Sequence, residues 1–433
     1  MVSNDNKLYI LGQGSYGCVY NPEITCRDKK TDGKRYVSKV QLDDYLSGQE
    51  VNIGKIIKKI PSYMLRYGPI INTCPLNYAK ITETELSACK MHVKNKSTQS
   101  EKKFISSKMR YIGKYTLGAF LKNMILGAEG SNEQNVRQYM NHLAEIHLYL
   151  LASIRELYAY GLIHLDLNNR NILYDDKHKV PIVIDFGLSV VTKTLDISVY
   201  KENAKHPFGV KAPFYYSWCI EILMLSHIAT EIGSARPYTV NKKLLETKIS
   251  SEYISKTLKK ICDNYVDGLQ AYSKQMIFTK DEMENMRTRL YEWVGGFVDK
   301  TWSEVWTELV KTNSSWDNYS LSVMFLMELL ISGLLPRDML KEENDLFHKY
   351  AGALKKIVLS DPSSRELPEA TAIQMTKLFK NVDSQSYTKA ITKYNESGKD
   401  INKKIQTAYQ HSEKVVINKQ NVMVDARREM VVA

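Results

Sequence analysis

His164-Leu165-Asp166-Leu167-Asn168-Asn169-Arg170-Asn171-Ile172-Leu173 leads through Tyr174 and a polar turn at Asp175-Asp176-Lys177 into Pro181-Ile182-Val183-Ile184-Asp185-Phe186-Gly187. Residues 172–174 and 181–184 read as two short strands with polar residues at both ends. Asn171 lies five residues past Asp166, and Asp185 fourteen residues after Asn171. Phosphoryl transfer asks for such a set. One carboxylate orients and deprotonates the attacking hydroxyl, while an amide oxygen and a second carboxylate hold Mg²⁺ on the phosphates. Each residue alone is an ordinary turn polar; the order and spacing give them meaning together.

Upstream, Leu11-Gly12-Gln13-Gly14-Ser15-Tyr16-Gly17-Cys18-Val19-Tyr20 has glycines at a spacing that suits any backbone approaching a phosphate or turning tightly. A dinucleotide-binding turn needs a helix after the third glycine, whereas Cys18-Val19-Tyr20 continues as strand and Pro22 would spoil a helix. Strand, loop, strand is the geometry of a flap over ATP phosphates; a glycine-rich hairpin with no ligand is the competing reading. Lys39 ends a third strand, 36–40, and needs a carboxylate to fix its ammonium beside such a flap. Val51, Ile53, Ile56, Ile57 and Ile60 recur at helical steps before Pro61, and Glu50, early on that helix, is preferred as partner over Glu83 and Glu85. Leu11, Val19, Val37 and Leu173 are expected as apolar walls for the adenine. Residues 109–113 read as a further strand ending in a connector.

Downstream the pattern turns helical: Val136, Tyr139, Met140, Leu143, Ile146, Leu150, Ile154 and Leu157 share one face, and Gly161 closes the helix. All five tryptophans fall between Trp218 and Trp316, which points to a packed subcore. At 433 residues the chain exceeds one typical domain. Its 60 Lys and Arg against 48 Asp and Glu give a net charge of +12, but the lysines are dispersed and not gathered into the stripe a nucleic-acid binder uses. Nucleic acid is therefore not expected as the primary partner. Cys18, Cys26, Cys74, Cys89, Cys219 and Cys262 contain no CxxC pair and read as reduced thiols. The polar start and the lack of any apolar run near the ~20 residues that span a bilayer argue against a signal peptide or membrane span. A cytoplasmic monomer is expected.

With these elements in this order, the chain resembles a eukaryotic-type protein kinase. The resemblance implies an α+β bilobal fold: a sheet-rich N-lobe over 1–111, a mainly helical C-lobe over 112–379 with a large helical insertion at about 222–316, and an extension over 380–433. It also implies ATP and Mg²⁺ as cofactors and protein substrates as partners. Asp166 would be the base, Lys39 and Glu50 the ATP-positioning pair, Asn171 and Asp185 the metal ligands, and Gly12, Gln13, Gly14, Ser15, Tyr16, Gly17 and Cys18 the phosphate flap. Glu221 resembles the Glu that ends an activation segment, 317–323 resembles the Asp-x-Trp-Ser-x-Gly helix, and Asp361-Pro362-Ser363-Ser364-Arg365 supplies the Arg expected to pair with Glu221. A narrower likeness, on residues 17–26, 37–39 and 53–57, is to the serine/threonine kinases of large nucleocytoplasmic DNA viruses. That likeness implies host-cell cytoplasm, with packaging in the virion as a further option.

The chain departs from the family in three places. Leu165 stands where many kinases carry the Arg that clamps an activation-loop phosphate, so activity is expected not to depend on phosphorylation of Ser189, Thr192, Thr194, Ser198 or Tyr200. Asn168 replaces a common Lys, and Arg170 occupies the position of an Arg found in many tyrosine kinases, from which it can reach the γ-phosphate. Serine/threonine specificity is favoured by the viral likeness, with tyrosine open. The third departure is the insertion, expected to pack on the C-lobe or else to bind a partner. Two rival functions are a small-molecule phosphotransferase of aminoglycoside-kinase type and a pseudokinase scaffold working through the Trp-rich insertion. Asp185-Phe186-Gly187 and 361–365 argue against the first, and the intact Lys39, Glu50, Asp166, Asn171 and Asp185 against the second.

Overall fold

The computed structural model describes residues 8–14, 17–26, 35–96, 103–126, 133–199, 208, 210, 212–232, 241–273, 277–332 and 346–380. Ser15, Tyr16, Tyr200 and the extension beyond Lys380 lie outside the described residues. The chain forms an α+β architecture in two compact units, Met1–Thr116 with Arg170–Ser189, and Leu117–Asn169 with Val190–Ala433. The first unit thus reaches past residue 111 and takes back the 172–184 hairpin.

In chain order the elements begin with β1 (Tyr9–Gln13), β2 (Gly17–Asn21) and β3 (Tyr36–Leu42). α1 (Tyr45–Ile57) starts at Asp44, whose carboxylate accepts the Ser47 N–H at 3.0 Å while Ser47 Oγ accepts the Asp44 N–H at 3.0 Å. The helix stops at Lys58, earlier than the apolar pattern running to Ile60 suggests. Next come β4 (Tyr67–Gly68), β5 (Asn72–Pro75), α2 (Glu83–Ser87), α3 (Lys90–Lys96) and β6 (Phe104–Arg110), which replaces the strand expected at 109–113. α4 (Leu117–Leu126), the long α5 (Glu133–Ala159) and β7 (Leu162–Ile163) follow, then β8 (Ile172–Asp175), β9 (Val180–Ile184) and β10 (Val190–Val191). The remainder is helical: α6 (Ile220–His227), α7 (Lys242–Leu245), α8 (Ser251–Tyr253), α9 (Lys259–Tyr272), α10 (Lys280–Gly295) and α11 (Trp302–Val310). It ends with α12 (Trp316–Ser332), α13 (Leu346–Leu359) and α14 (Pro368–Lys380).

In the first unit an antiparallel five-stranded sheet runs β1-β2-β3-β6-β5, and β4-β9-β8 makes a smaller sheet. Strand pleat divides the side chains between two faces. Cys18 lies opposite Val40 and Val19 opposite Lys39, so Cys18, Tyr20 and Val40 share one face and Val19, Val37 and Lys39 the other. The Cys18 face packs on Leu86, Cys89 and Phe104 to form an apolar core. Gly17 is required by that closeness, since a Cβ there would meet the Val40 carbonyl oxygen at 2.6 Å.

Four of the six cysteines are not thiols. Cys18 is bonded to Cys89 and Cys26 to Cys74, across sequence separations of 71 and 48 residues. Short-range spacing rules have no purchase at such separations; the sheet and the α2–α3 segment bring the partners together. Only Cys219 and Cys262 are free, and both are buried.

In the second unit the apolar face read over 136–157 is the buried face of α5, from Tyr139 to Leu157. α12 is buried almost all round, as suits a central helix. Trp218, Trp302, Trp306 and Trp316 are at most 4% exposed, and Trp306 Nε1 donates to the Leu195 carbonyl at 2.8 Å. Trp302, Trp306 and Trp316 of the Trp-rich insertion are therefore packed within this unit. Glu221 and Arg365 meet in a bidentate pair at 2.7 and 2.9 Å, with side chains 0% and 1% exposed. No helix among the described residues is long and apolar enough to cross a membrane.

Candidate active site

In the first unit, Lys39, Glu50 and Asp185 converge. Glu50, Ile53 and Ile57 recur at helical steps on the inward face of α1, which is why a carboxylate ends up buried there. Lys39 Nζ donates to both Glu50 oxygens at 2.9 Å and to Asp185 Oδ1 at 2.8 Å. Asn171 precedes β8 and Asp185 follows β9 at one end of the same hairpin, and the Ile184 N–H donates to the Asn171 carbonyl at 2.9 Å. Asp185 has φ +60, a left-handed backbone a non-glycine residue rarely adopts, and its carboxylate is bound to Lys39 in that conformation.

The electrostatics follow from burial and charge. Burial alone would lower the Lys39 ammonium, but the Asp185 and Glu50 carboxylates override it and hold it above its usual value. Burial pushes the Glu50 carboxyl up, and Lys39 opposes that push. Lys39 therefore stays a cation, bound by two carboxylates.

Of the expected adenine walls, Val37 is buried and Val19 and Leu173 are half-buried, while Leu11 is 38% exposed. Gly12, Gln13 and Gly14 lie on the exposed flap, where the Gly14 N–H donates to the Gly17 carbonyl at 2.9 Å. Cys18 does not belong with them. The pleat turns its side chain into the core and its sulfur is bonded to Cys89, so it presents no side chain to a nucleotide. Arg170 is half-buried.

In the second unit Asp166 is half-buried on a loop held from behind by Asp317. The Asp317 carboxylate accepts the His164 N–H at 2.8 Å and the Leu165 N–H at 3.0 Å. Those bonds hold Leu165 at φ +63, and Trp218 Nε1 donates to its carbonyl at 2.7 Å. The Leu165 side chain is buried at 3% exposure, so the position expected to lack a phosphate clamp is filled by packing instead.

Two partners in this unit, Tyr215 and Glu328, were not singled out from sequence. The Tyr215 hydroxyl donates to Asp166 Oδ1, and Asn168 Nδ2 donates to the same oxygen at 3.3 Å and to the Tyr215 oxygen at 3.3 Å. Tyr215 is 3% exposed, its ring set edge-on to Trp218. Asn169 Nδ2 donates at 2.6 Å to Glu328, whose carboxyl burial pushes up to about 7. Asn168 and Asn169 had a signal in the 164–173 stretch and Asp317 as the head of the 317–323 stretch; Tyr215 and Glu328 sit in stretches with no motif.

Residues 118–198 match the family model of the RIO domain, of the atypical protein kinase superfamily. Over those residues the chain is similar to that domain. The match takes in Asp166, Asn171 and Asp185 and stops short of the glycine-rich flap, Lys39 and Glu50. Among solved structures, a Stt7 homolog from Micromonas algae soaked with ATP is similar over 86% of this chain and 92% of its own, at 13% identity and a TM-score of 0.38, too loose a likeness to bear on the site. No curated protein matches the chain.

Proposed function

We propose that the chain is an ATP-dependent protein kinase that transfers the γ-phosphoryl group to serine or threonine hydroxyls of protein substrates with Mg²⁺. The observation that carries this reading is the buried Lys39 ammonium bound at 2.8–2.9 Å by both Glu50 and Asp185. A scaffold has no use for a desolvated cation among carboxylates; a polyphosphate-binding enzyme does.

Asn171 and Asp185 fit Mg²⁺, since an amide oxygen and a carboxylate at one hairpin end are hard donors and leave coordination positions for phosphate oxygens and water. When bound there, the ion neutralises charge on the β- and γ-phosphates. The chain's own groups do the rest. Lys39 holds the α- and β-phosphates and is itself held by Glu50. Asp166 accepts the proton of the substrate hydroxyl, while Tyr215 and Asn168 fix the carboxylate. The absence of an Arg beside Asp166 supports an enzyme active without a phosphorylated loop, and the likeness to viral serine/threonine kinases supports the hydroxyl class.

Incubation with γ-labelled ATP, Mg²⁺ and a mixed protein fraction, followed by phosphoamino-acid analysis, tests the reading. Label on serine and threonine is expected. Label on small molecules only, or on no acceptor, would overturn it.

A further inference from the structure

The α2–α3 segment is fastened to the glycine-rich hairpin at several separate points. The Cys18–Cys89 disulfide joins the residue after Gly17 to the residue before α3. The Lys90 N–H donates at 3.2 Å to Gln13 Oε1, on the flap itself. The Tyr20 hydroxyl donates at 3.0 Å to the Glu85 carbonyl, and Glu85 Oε1 accepts the Leu8 N–H at 3.1 Å. Around these bonds Leu86, Cys89 and Met91 pack against Cys18, Tyr20 and Val40, with both cysteines of the bridge wholly buried. Glu85 is in turn fixed by Thr82, whose N–H donates to Glu85 Oε2 at 2.8 Å in a capping box.

We infer that α2–α3 is a strap that sets the position of the phosphate flap, with Cys18, Cys89 and Gln13 as positioning residues for nucleotide binding. A glycine-rich hairpin loses freedom when it closes over phosphates, and a hairpin already anchored on one side loses less. The anchoring is redox-dependent. A dithiol reductant delivers two electrons and two protons to the Cys18–Cys89 bond, which becomes two thiols while the reductant closes to its cyclic disulfide. The Cys26–Cys74 bridge leaves from beyond the far end of β2 and is only half-buried, so it holds the strand exit and not the flap.

The inference rests on the ATP-binding reading, and two arms keep the failures apart. Full-length wild type, Cys89→Ala, Gln13→Ala and Cys74→Ala are compared by hydrogen exchange of the β1–β2 amides and by affinity for Mg²⁺ with a non-hydrolysable ATP analogue. Cys89→Ala is expected to speed β1–β2 exchange about tenfold and to weaken the analogue about tenfold. Dithiothreitol treatment of wild type should reproduce both effects, Gln13→Ala should give a smaller shift of the same sign, and Cys74→Ala should give neither. Unchanged β1–β2 exchange in a Cys89→Ala protein that keeps β3 protected, or Cys18 and Cys89 found as free thiols in wild type, overturns the strap. If wild type does not bind the analogue, the ATP-binding reading fails, and the exchange arm still decides whether the hairpin is strapped.

Discussion

Replacing Glu221 by Gln leaves the Arg365 guanidinium, 1% exposed, without its carboxylate. The pair is made through two bonds, at 2.7 and 2.9 Å, and Glu221 also accepts from Thr312 Oγ1 at 2.9 Å, while Ser315 Oγ lies 3.3 Å from Arg365 Nη1. Breaking a buried pair from one side costs about 3–5 kcal/mol because a desolvated charge is orphaned. Gln retains an acceptor, which places the loss near the low end, about 3 kcal/mol. For a unit of this size that corresponds to a melting temperature lower by roughly 6–12 °C. The double variant Glu221→Leu/Arg365→Met removes both charges and should recover most of the loss. The pH dependence has a definite sign. Burial pushes the Glu221 carboxyl up, but Arg365 overrides it and holds it below its usual value. The stability this contributes is present above the unfolded carboxylate range, about 4.3, and is lost as pH falls through the folded value, a loss that Glu221→Gln lacks. Calorimetry of the three proteins at neutral and acid pH is the assay. A Glu221→Gln protein melting within 2 °C of wild type, or a double variant less stable than the single one, would falsify the reasoning.

Glu328 should act in the opposite direction. Its folded-state value of about 7 lies above the unfolded one, so wild type loses stability as pH rises from about 4.5 to 7, by about 3 kcal/mol. Glu328→Gln, which still accepts from Asn169, should show a flatter profile in urea unfolding at pH 5 and pH 8; parallel profiles refute the assignment. Tyr215→Phe should lower kcat by about 10–100-fold with the KM for ATP unchanged, because the carboxylate of Asp166 loses a donor and Asn168 beside it an acceptor; an equal change in both parameters, or none, counts against it. A variant with Ser189, Thr192, Thr194, Ser198 and Tyr200 all made non-phosphorylatable should keep wild-type activity in a steady-state assay, given the buried Leu165 beside the base; loss of activity refutes the inference from Leu165.

The parts of the fold legible in the sequence are those with a local period or a spaced motif. α1 and α5 were visible because apolar residues recur every three or four positions, and the same period put Glu50 on the inward face with Ile53 and Ile57. β8 and β9 were visible as apolar runs around a polar turn. What escaped depends on contacts distant in sequence. Asn72-Thr73-Cys74-Pro75 has no alternation to mark it as strand β5, yet it brings Cys74 to Cys26. Cys18 was read as a flap residue because it follows Gly17, and only the register opposite Val40 shows that its side chain points into the core. Tyr215 lies between Asp185 and Ser217 where no period holds, so its hydroxyl could be matched to Asp166 only in three dimensions. Leu165 was legible as the absence of a charge, but not as a buried apolar anchor.

Phosphoryl transfer by this chain is measured directly by comparing two proteins. Wild type and Asp166→Ala, matched for folding by circular dichroism and for binding of the ATP analogue, are incubated with γ-labelled ATP, Mg²⁺ and mixed protein acceptors. Wild type should label serine and threonine residues, and Asp166→Ala should lose transfer by about 10²–10⁴-fold while binding the analogue as before. Equal labelling by the two proteins would contradict the assignment of Asp166 as base, and no labelling by wild type would contradict the kinase reading itself.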